Sequence, residues 1–329
     1  MEKKSFLYKL IPAAAVIATA ALVSGHLNNY IMTLLNTSLI YFLCAAGLSI
    51  LLGMGGQLAM CSVTFMGLSG FLTGQLSKNY GVSTPLALLL SVLLTTAAGL
   101  AFGLILMRLK GGFLVFGTIG LVNIGATIFQ NFTPLSGGPD GVFGVPKLNL
   151  LGYSFDSMQA WFFLLVGVAV VVILLISKIR STALGRSLMA VRDDETAACT
   201  LGVHVYRTKV IAFTINCALA GLAGSLLAYH NGVVSGSMFT FNTQMQFIMM
   251  VMLGGVNSSI GTLAGTFLIT ALPELLRSLA NYMNLIYGGA IIVLMIFMPM
   301  GIGGALENLY KRVMRASKKK NISDMTDVR

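Results

Sequence analysis

The longest polar interval of this 329-residue chain is residues 177–209, which lies between two strongly apolar segments. Basic side chains are spread through it, and an acidic run, residues 193–195, lies in its middle. Within it, Leu184, Leu188 and Val191 recur at spacings of four and three. This spacing predicts a short amphipathic helix with one apolar face.

A second short helix is predicted directly after the first. Asp193 or Asp194 can cap its N–H groups, and their negative charge suits the positive end of a helix. Gly202 can take the left-handed conformation that ends helices. The apolar side of this helix is expected to consist of Ala197, Ala198 and Leu201. Such a helical hairpin is suited to contact another protein, and the alternative is an ordinary charged loop between two spans.

The sequence offers few residues that could serve in catalysis, metal binding or nucleotide binding. His26, His204 and His230 are isolated and lack metal-ligand spacing, and no nucleophile has a base at a recognisable distance along the chain. No phosphate-binding loop of the G-x-x-x-x-G-K-[ST] type occurs, so the chain does not bind ATP by that route. The scattered cysteines indicate packing positions: Cys44, Cys61, Cys199 and Cys217. We therefore expect no catalytic residue, no metal site and no cofactor bound by this chain.

The composition is that of a membrane protein. Apolar residues make up 56% of the chain and charged residues only 9%, whereas soluble proteins average about a quarter charged. The net charge of +11 does not indicate nucleic-acid binding, because the basic residues lie at the ends of apolar spans and without an aromatic-rich patch. The sequence thus predicts a chain embedded in lipid.

The predicted fold is an all-α polytopic membrane protein with about ten transmembrane helices in a single transmembrane domain, residues 1–329. Positive charge at the ends of the spans places both termini and the polar interval in the cytoplasm, and a loop at residues 133–158 outside. A basic tail, residues 306–329, follows the last span. The predicted spans are residues 10–23, 31–52, 53–76, 86–107, 113–132, 161–176, 210–229, 241–253, 260–279 and 285–298.

Glycines interrupt two of these apolar stretches. The cluster at residues 53–57 predicts a helix broken near the membrane centre, where exposed backbone groups can line a polar path. A second cluster, residues 254–265, occupies a comparable place in the other half of the chain. The similar placement of the two clusters suggests the hypothesis of an inverted repeat, with the substrate path between its two halves.

Amide side chains are the main polar groups within the spans. Each can hydrogen-bond to a neighbouring helix or line a translocation path. An uncharged path suits a channel-like passage whose affinity resides in a separate soluble receptor. A proton-coupled transporter would instead need a deep acid, and the only charged pair in a span is Glu274 with Arg277. The candidate path residues are Asn36, Gln57, Asn123, Gln130, Asn216, Gln244 and Gln246.

A family resemblance rests on the polar interval and the span that follows it. The run A-L-G-R-S-L-M-A-V-R-D-D-E-T-A-A-C-T-L-G-V resembles the cytoplasmic coupling region of permease subunits in bacterial branched-chain amino acid ABC importers, in their M-type form. The importer motif is Glu-Ala-Ala, three residues, then Gly. Here Thr196 takes the place of the acid, which lies one position early at Glu195. Agreement continues in the S-G-G-P-D-G loop, the L-G-G-V-N-S-S-I-G-T-L-A-G run and L-P-E-L-L-R.

The resemblance implies a half-pore in the bacterial plasma membrane that transports branched-chain or similar amino acids. Its implied partners are a second permease of the H type, two ATPase subunits that carry ATP and Mg²⁺, and an extracytoplasmic binding protein. The alternatives are an ABC permease for urea, sugar or nucleoside, and a stand-alone secondary transporter. Within the coupling region, residues 178–209, the resemblance implies ATPase coupling by Gly185, Arg186, Arg192, Asp193, Asp194, Glu195, Ala197, Ala198 and Gly202.

Overall fold

The computed structural model describes residues 28–109, 111–138, 140–150, 153–275 and 289. Within these residues the protein is an all-α polytopic membrane protein, as the sequence predicts. The predicted first and last spans, the basic tail and the Glu274–Arg277 pair lie outside the residues whose side chains are described. The count of ten spans and the inverted repeat stay predictions.

Helices form wherever the apolar spans are long enough, and the bounds agree with the predicted ones within a few residues. Five of them are long and apolar enough to cross a membrane, namely α1 with the turn that extends it, α3, α4, α6 and α9. The helices are α1 Asn29–Ser49, α2 Ser62–Lys78, α3 Thr84–Leu106, α4 Gly112–Asn131, α5 Thr133–Ser136, α6 Met158–Ser181, α7 Ala183–Asp193, α8 Glu195–Thr200, α9 Val205–Asn231, α10 Phe241–Gly254 and α11 Ser259–Leu275.

The glycine cluster after α1 breaks the helix, as predicted. The last turn of α1, Ile50–Met54, widens to a π-helix in which the Gly55 N–H bonds to the Ile50 carbonyl at 3.2 Å. The chain then runs without helical structure, residues 55–61, until α2 begins at Ser62. Ser62 donates to Asn216, near the middle of α9, so this re-entrant segment, as we call residues 55–61, climbs into the interior of the helix bundle.

Side chains of other helices satisfy the backbone at the end of the re-entrant segment and at the start of α2. The Met60 N–H donates to Thr118 Oγ1 of α4 at 3.0 Å, and the Val63 N–H donates to Gln244 Oε1 of α10 at 2.9 Å. An unbonded backbone group in lipid costs several kcal/mol, so irregular backbone at this depth requires such partners. The fold of the segment therefore depends on two helices that are distant in sequence.

Helix α9 is the centre of the bundle and packs against α1, α2 and α3. Its Gly224 lies so near to α2 that a Cβ there would be 1.9 Å from the Met66 carbonyl oxygen. Buried hydroxyl groups join the same two helices, because Ser69 and Thr73 both bond to Ser225, at 2.7 and 2.9 Å. Small residues that allow close approach, and hydroxyls that bond across it, are typical of helix contacts in lipid.

The two ends of the bundle differ. One end carries α7 and α8 and is called here the coupling end. The other, the loop end, carries four two-residue strands, which the sequence did not predict: β1 Val142–Phe143, β2 Asn149–Leu150, β3 Tyr153–Ser154 and β4 Val233–Val234. β1 pairs antiparallel with β4, and β2 with β3. An exposed ion pair, Lys147 with Asp156 at 2.6 Å, lies beside the β2–β3 strand pair. The hydrogen bond from Lys147 lowers the pKa of Asp156.

The contact of α9 with α2 generates a test by substitution. Gly224→Ala forces a methyl group against the Met66 carbonyl oxygen, and overpacking of this kind costs about 1–3 kcal/mol. We expect the midpoint of thermal unfolding in detergent to fall by several degrees. Gly167→Ala in α6 is the matched control, because no atom lies within 4 Å of the added methyl group. Equal midpoints for the two variants would contradict this account of the packing.

Candidate functional site

The coupling end begins with a sharp turn between α6 and α7. Thr182 ends α6 and caps α7, and its side chain accepts from the Gly185 N–H at 3.5 Å. A Cβ at Gly185 would lie 2.3 Å from the Ile179 carbonyl oxygen. The predicted site residue Gly185 is therefore required by the close approach of two helices, which fixes the direction in which α7 leaves the bundle.

The predicted apolar face of the first short helix is confirmed. Leu188 and Val191 are buried against the bundle, and Leu184 is half-buried beside them. Their spacing places all three on the side of α7 that faces the transmembrane helices. α7 is thus attached to the bundle along its length, and the charged loop that was the alternative is excluded.

The predicted cap of the second helix is also found. The carboxylate of Asp194, and not that of Asp193, accepts from the N–H groups of Thr196 and Ala197, at 2.7 and 2.9 Å. At the other end Gly202 adopts a left-handed conformation with φ of 84°. A negative cap at the start and a glycine after the end define a helix of only six residues.

One prediction about α8 is wrong. Ala197, Ala198 and Leu201 do not share a buried side, because only Ala198 is buried and the side chain of Leu201 is 81% exposed. The reason is that Leu201, at the C-cap, still donates its N–H to the Ala197 carbonyl oxygen at 3.2 Å, so Leu201 and Ala197 share an exposed side of α8 while Ala198 faces the bundle. The hairpin consequently presents a large apolar side chain to its surroundings.

Two basic side chains fasten the hairpin to the transmembrane helices. Arg192 Nη1 donates to the Gly53 carbonyl oxygen, in the π-helical turn of α1, at 2.8 Å. Lys209, at the start of α9, forms an ion pair with Glu195 of α8. The Lys209 side chain is only 10% exposed, and a charge so poorly hydrated requires a partner. The hairpin is therefore tied to two spans, α1 and α9, by residues on either side of the turn between α7 and α8.

The predicted coupling residues divide into two groups. Gly185, Arg192, Glu195 and Ala198 contact the rest of the chain or are buried against it. The other five are exposed, and of these only Arg186 bonds to a described residue of a spanning helix, at the Ser181 carbonyl oxygen that ends α6: Arg186, Asp193, Asp194, Ala197 and Gly202. The family resemblance implies the same coupling role for all nine residues, whereas the structure separates those on the attached face of the hairpin from those on its exposed face.

The predicted path amides also separate. Three of them are buried and bonded between helices. The Asn36 side chain donates to the Met158 carbonyl oxygen at 3.1 Å, Asn216 exchanges hydrogen bonds with Ser62, and Gln244 accepts from the backbone of α2. These amides hold the bundle together, which is the common role of amides in membrane helices.

The remaining candidates have different surroundings. Gln57, in the re-entrant segment, is 5% exposed, and neither polar atom of its side chain has a hydrogen-bond partner among the described residues. Gln246 is half-buried in α10. Asn123 and Gln130 are exposed on α4, a helix that packs by one face on α2 and α10.

Helix α4 carries an uncovered polar stripe. Asn123, Thr127 and Asn131 lie four residues apart and are all exposed, although α4 is apolar enough to span a membrane. Each side chain donates to the backbone carbonyl four residues earlier, so each asparagine amide has one of its N–H groups bonded within the helix. The side-chain carbonyl oxygens of Asn123 and Asn131 receive no hydrogen bond within the described part of the chain.

Sequence reasoning missed the residues that receive the hairpin. Gly53 and Asn257 accept from Arg192, and Arg180 donates to the Asn257 carbonyl oxygen at 2.6 Å. Both acceptors lie in the glycine-rich breaks, which the sequence did single out. The signal that could have linked these residues is the presence of two arginines in the polar interval, Arg180 and Arg192, together with broken helices whose last carbonyl groups need hydrogen-bond donors.

The described residues contain no group of three histidine, cysteine, aspartate or glutamate side chains that could hold a metal ion. Cys44, Cys61 and Cys217 are buried and unbridged, and Cys199 is exposed on α8. The arrangement at the coupling end attaches the hairpin to α1 and α9 and leaves its other face exposed.

Residues 30–299 match the family described as branched-chain amino acid transport system / permease component. The chain belongs to this family. It is a multi-pass membrane permease subunit of an ABC importer. No solved protein structure is significantly similar to it.

Two groups of relatives differ in what their names say they import. The high-affinity branched-chain amino acid transport system permease protein LivM of Salmonella typhimurium is 31% identical over 80% of this chain and 68% of its own length. The LivM protein of Escherichia coli K12 gives the same values. The autoinducer 2 import system permease protein LsrC of Enterobacter sp. 638 is 30% identical over 67% of this chain and 64% of its own length.

The cap of α8 provides a local test of the permease's hairpin. Asp194→Ala removes the acceptor for two N–H groups, and the loss of such a cap costs about 1 kcal/mol. We expect faster amide hydrogen exchange at Thr196 and Ala197. Asp194→Asn is the control, because its amide oxygen can still accept both hydrogen bonds. Unchanged exchange in the alanine variant would show that Asp194 does not hold the helix.

Proposed function

We propose that this permease forms half of the translocation path of a bacterial inner-membrane importer for branched-chain or similar amino acids. A second permease of the H type would supply the other half, two ATPases would bind ATP and Mg²⁺, and an extracytoplasmic protein would deliver the solute. The observation that carries the proposal is the capped hairpin α7–α8, which is tied to α1 and α9 while its other face is exposed.

The exposed face of the hairpin is the proposed docking surface for an ATPase. It combines charged residues such as Arg186 and Asp193 with the apolar side chain of Leu201. An apolar residue surrounded by polar ones is a common anchor in protein interfaces. Glycine at position 202, in its left-handed conformation, sets the direction of the chain beside that anchor.

The coupling end is proposed to face the cytoplasm. Basic residues cluster there in the polar interval, and short basic loops stay on the cytoplasmic side of membranes. The loop end would then face outward, where the paired strands and the Lys147–Asp156 ion pair give the binding protein an ordered surface.

Branched-chain amino acids are the favoured solutes because LivM combines higher identity with broad coverage: it is 31% identical over 80% of this chain, whereas LsrC proteins are 30% identical over 67% of it or 26% identical over 94% of it. The second candidate is a small polar solute of another class, and the likeness to autoinducer 2 permeases supports it. Both solutes fit a path without charged side chains, because selectivity would reside in the binding protein.

The polar stripe of α4 is the proposed wall of the path. Amides exposed to lipid are costly, so a spanning helix with Asn123, Thr127 and Asn131 uncovered requires water or a partner beside it. Ile124 and Ile128 are exposed on the adjoining side of the same helix, where lipid is a suitable neighbour. We place the shared path along the stripe, facing the second permease.

The energy source distinguishes this proposal from a secondary transporter. The purified chain alone in liposomes is expected to move no leucine against a gradient, whatever pH or sodium difference is imposed, because it contains no phosphate-binding loop. Adding the ATPases, the second permease and the binding protein should give leucine uptake that requires both ATP and the binding protein, with ADP as the control. Uphill uptake by the single chain would refute the proposal. ATP-driven uptake of autoinducer 2 in place of leucine would favour the second solute.

The path assignment is tested by a matched pair of cysteines on α4. In a chain without its natural cysteines, Asn123→Cys should react with a small charged thiol reagent in the assembled importer, because water reaches the stripe. Ile124→Cys, one position away and facing lipid, should react at least about tenfold more slowly, because thiolate formation requires water. Equal labelling of both positions would place the stripe in lipid or in a dry interface, and would remove α4 from the path.

A further inference from the structure

Three helix ends meet at the guanidinium group of Arg192. Its Nη1 donates to the Gly53 carbonyl oxygen at 2.8 Å and lies 3.4 Å from Asn257 Oδ1. Gly53 lies in the π-helical turn that ends α1, and Asn257 lies in the turn between α10 and α11. Arg192 itself lies in the last turn of α7. One side chain thus connects a surface helix to two separate parts of the bundle.

The contact is favourable for electrostatic reasons. The last four carbonyl groups of a helix have no partner within the helix, and they form the negative end of its dipole. A guanidinium group at that end bonds to an unpaired carbonyl and interacts with the dipole at the same time. The carboxylate of Asp193 accepts from Arg192 Nε and Nη2, at 3.2 and 3.1 Å, and so fixes the plane of the group.

The backbones at this point are in contact and leave no room for sliding. A Cβ at Gly53 would lie 2.2 Å from the Val256 carbonyl oxygen, and a Cβ at Gly56 would lie 2.5 Å from Arg192 Cγ. Arg180 of α6 donates to the Asn257 carbonyl oxygen at 2.6 Å and holds the α10–α11 turn from the other side. The end of α1, the end of α7 and the turn therefore form one packed unit.

The re-entrant segment starts from this unit. Gly56 touches Arg192, and Gln57 follows it with a buried amide group that has no hydrogen-bond partner. A buried amide without partners is unfavourable by about 1–3 kcal/mol. The re-entrant segment is therefore held next to Arg192 in an arrangement that its own polar groups do not favour. It leads directly to the start of α2 in the interior of the bundle.

We infer that Arg192 is a positioning residue that transmits movement of the hairpin to the re-entrant segment and to the α10–α11 turn. This inference rests on the proposed function, in which an ATPase displaces α7. The displacement moves Gly53 and Asn257 together, because one guanidinium group is bonded to both. The re-entrant segment and the start of α2 then shift against α4 and α10, whose side chains bond to the Met60 and Val63 N–H groups. Arg192 thus faces the bundle and does not serve as a docking residue.

The test measures ATP hydrolysed per leucine imported by the complete importer in proteoliposomes, together with ATPase binding. Arg192→Ala should raise this ratio about tenfold, since coupling free energies between sites are of that size, while the ATPases stay bound. Asn257→Ala removes only the weaker acceptor and should raise the ratio about two- to threefold. The double variant should resemble Arg192→Ala, because both changes break the same connection.

Arg207→Ala is the matched control, because this exposed arginine lies at the same end of the protein and has no hydrogen bond or ion pair with the described residues. Its ratio should equal that of the wild type. If Arg192→Ala does not assemble, Arg192→Lys and Asn257→Ala replace it, and the lysine, which can reach only one acceptor, should raise the ratio by an intermediate amount.

Two results would overturn the inference. One is a wild-type ratio in the alanine or lysine variants at position 192 and in Asn257→Ala. The other is loss of ATPase binding in Arg192→Ala, which would assign Arg192 to the docking surface. Neither result would affect the proposed function, which depends on ATP-dependent uptake by the wild-type importer.

Discussion

The structure depends on how backbone polar groups are satisfied away from water. Residues 55–61 are not helical, yet they lie inside a bundle of membrane helices. Thr118 and Gln244 accept the N–H groups at residues 60 and 63, as water would do at a surface. The positions of α4 and α10 are thereby linked to the path of this segment, and neither helix can move far without breaking a bond in a low-dielectric interior.

Glycine has a second role in the centre of the bundle. The contact of Gly224 with the Met66 carbonyl oxygen brings α9 against α2, and the hydroxyls of Ser69, Thr73 and Ser225 bond across the gap. Lipid tails are as apolar as leucine, so the hydrophobic effect gives little preference for helix association in a membrane. Close packing and hydrogen bonds supply that preference. The α2–α9 pair is therefore a rigid frame, against which the re-entrant segment and the coupling end are the parts able to rearrange.

The sequence predicts local features of this protein well and distant contacts poorly. Apolar spacing identified the buried face of α7, and capping chemistry identified Asp194 and Gly202, because these features are set within one or two turns. The bond from Arg192 to Gly53 joins residues 139 positions apart, and no local pattern specifies it. Amides illustrate the same limit. Asn216 is buried between helices and Asn123 is exposed, although both lie in apolar spans of similar composition.

The separation of the hairpin into an attached face and an exposed face follows from side-chain length and charge. Arginine and lysine have long side chains that can reach a carbonyl or carboxylate group while their charge stays bonded. Arg192 reaches from the hairpin to a carbonyl of α1, and Lys209 reaches from α9 to the Glu195 carboxylate, both beside the turn between α7 and α8. Leu201 cannot be satisfied in this way, because it lies beyond the end of α8 and faces outward. Attachment on both sides of the α7–α8 turn bonds that turn to two separate spans. A force on the exposed face of the hairpin therefore acts on α1 and α9 together, as the proposed docking of an ATPase on that face requires.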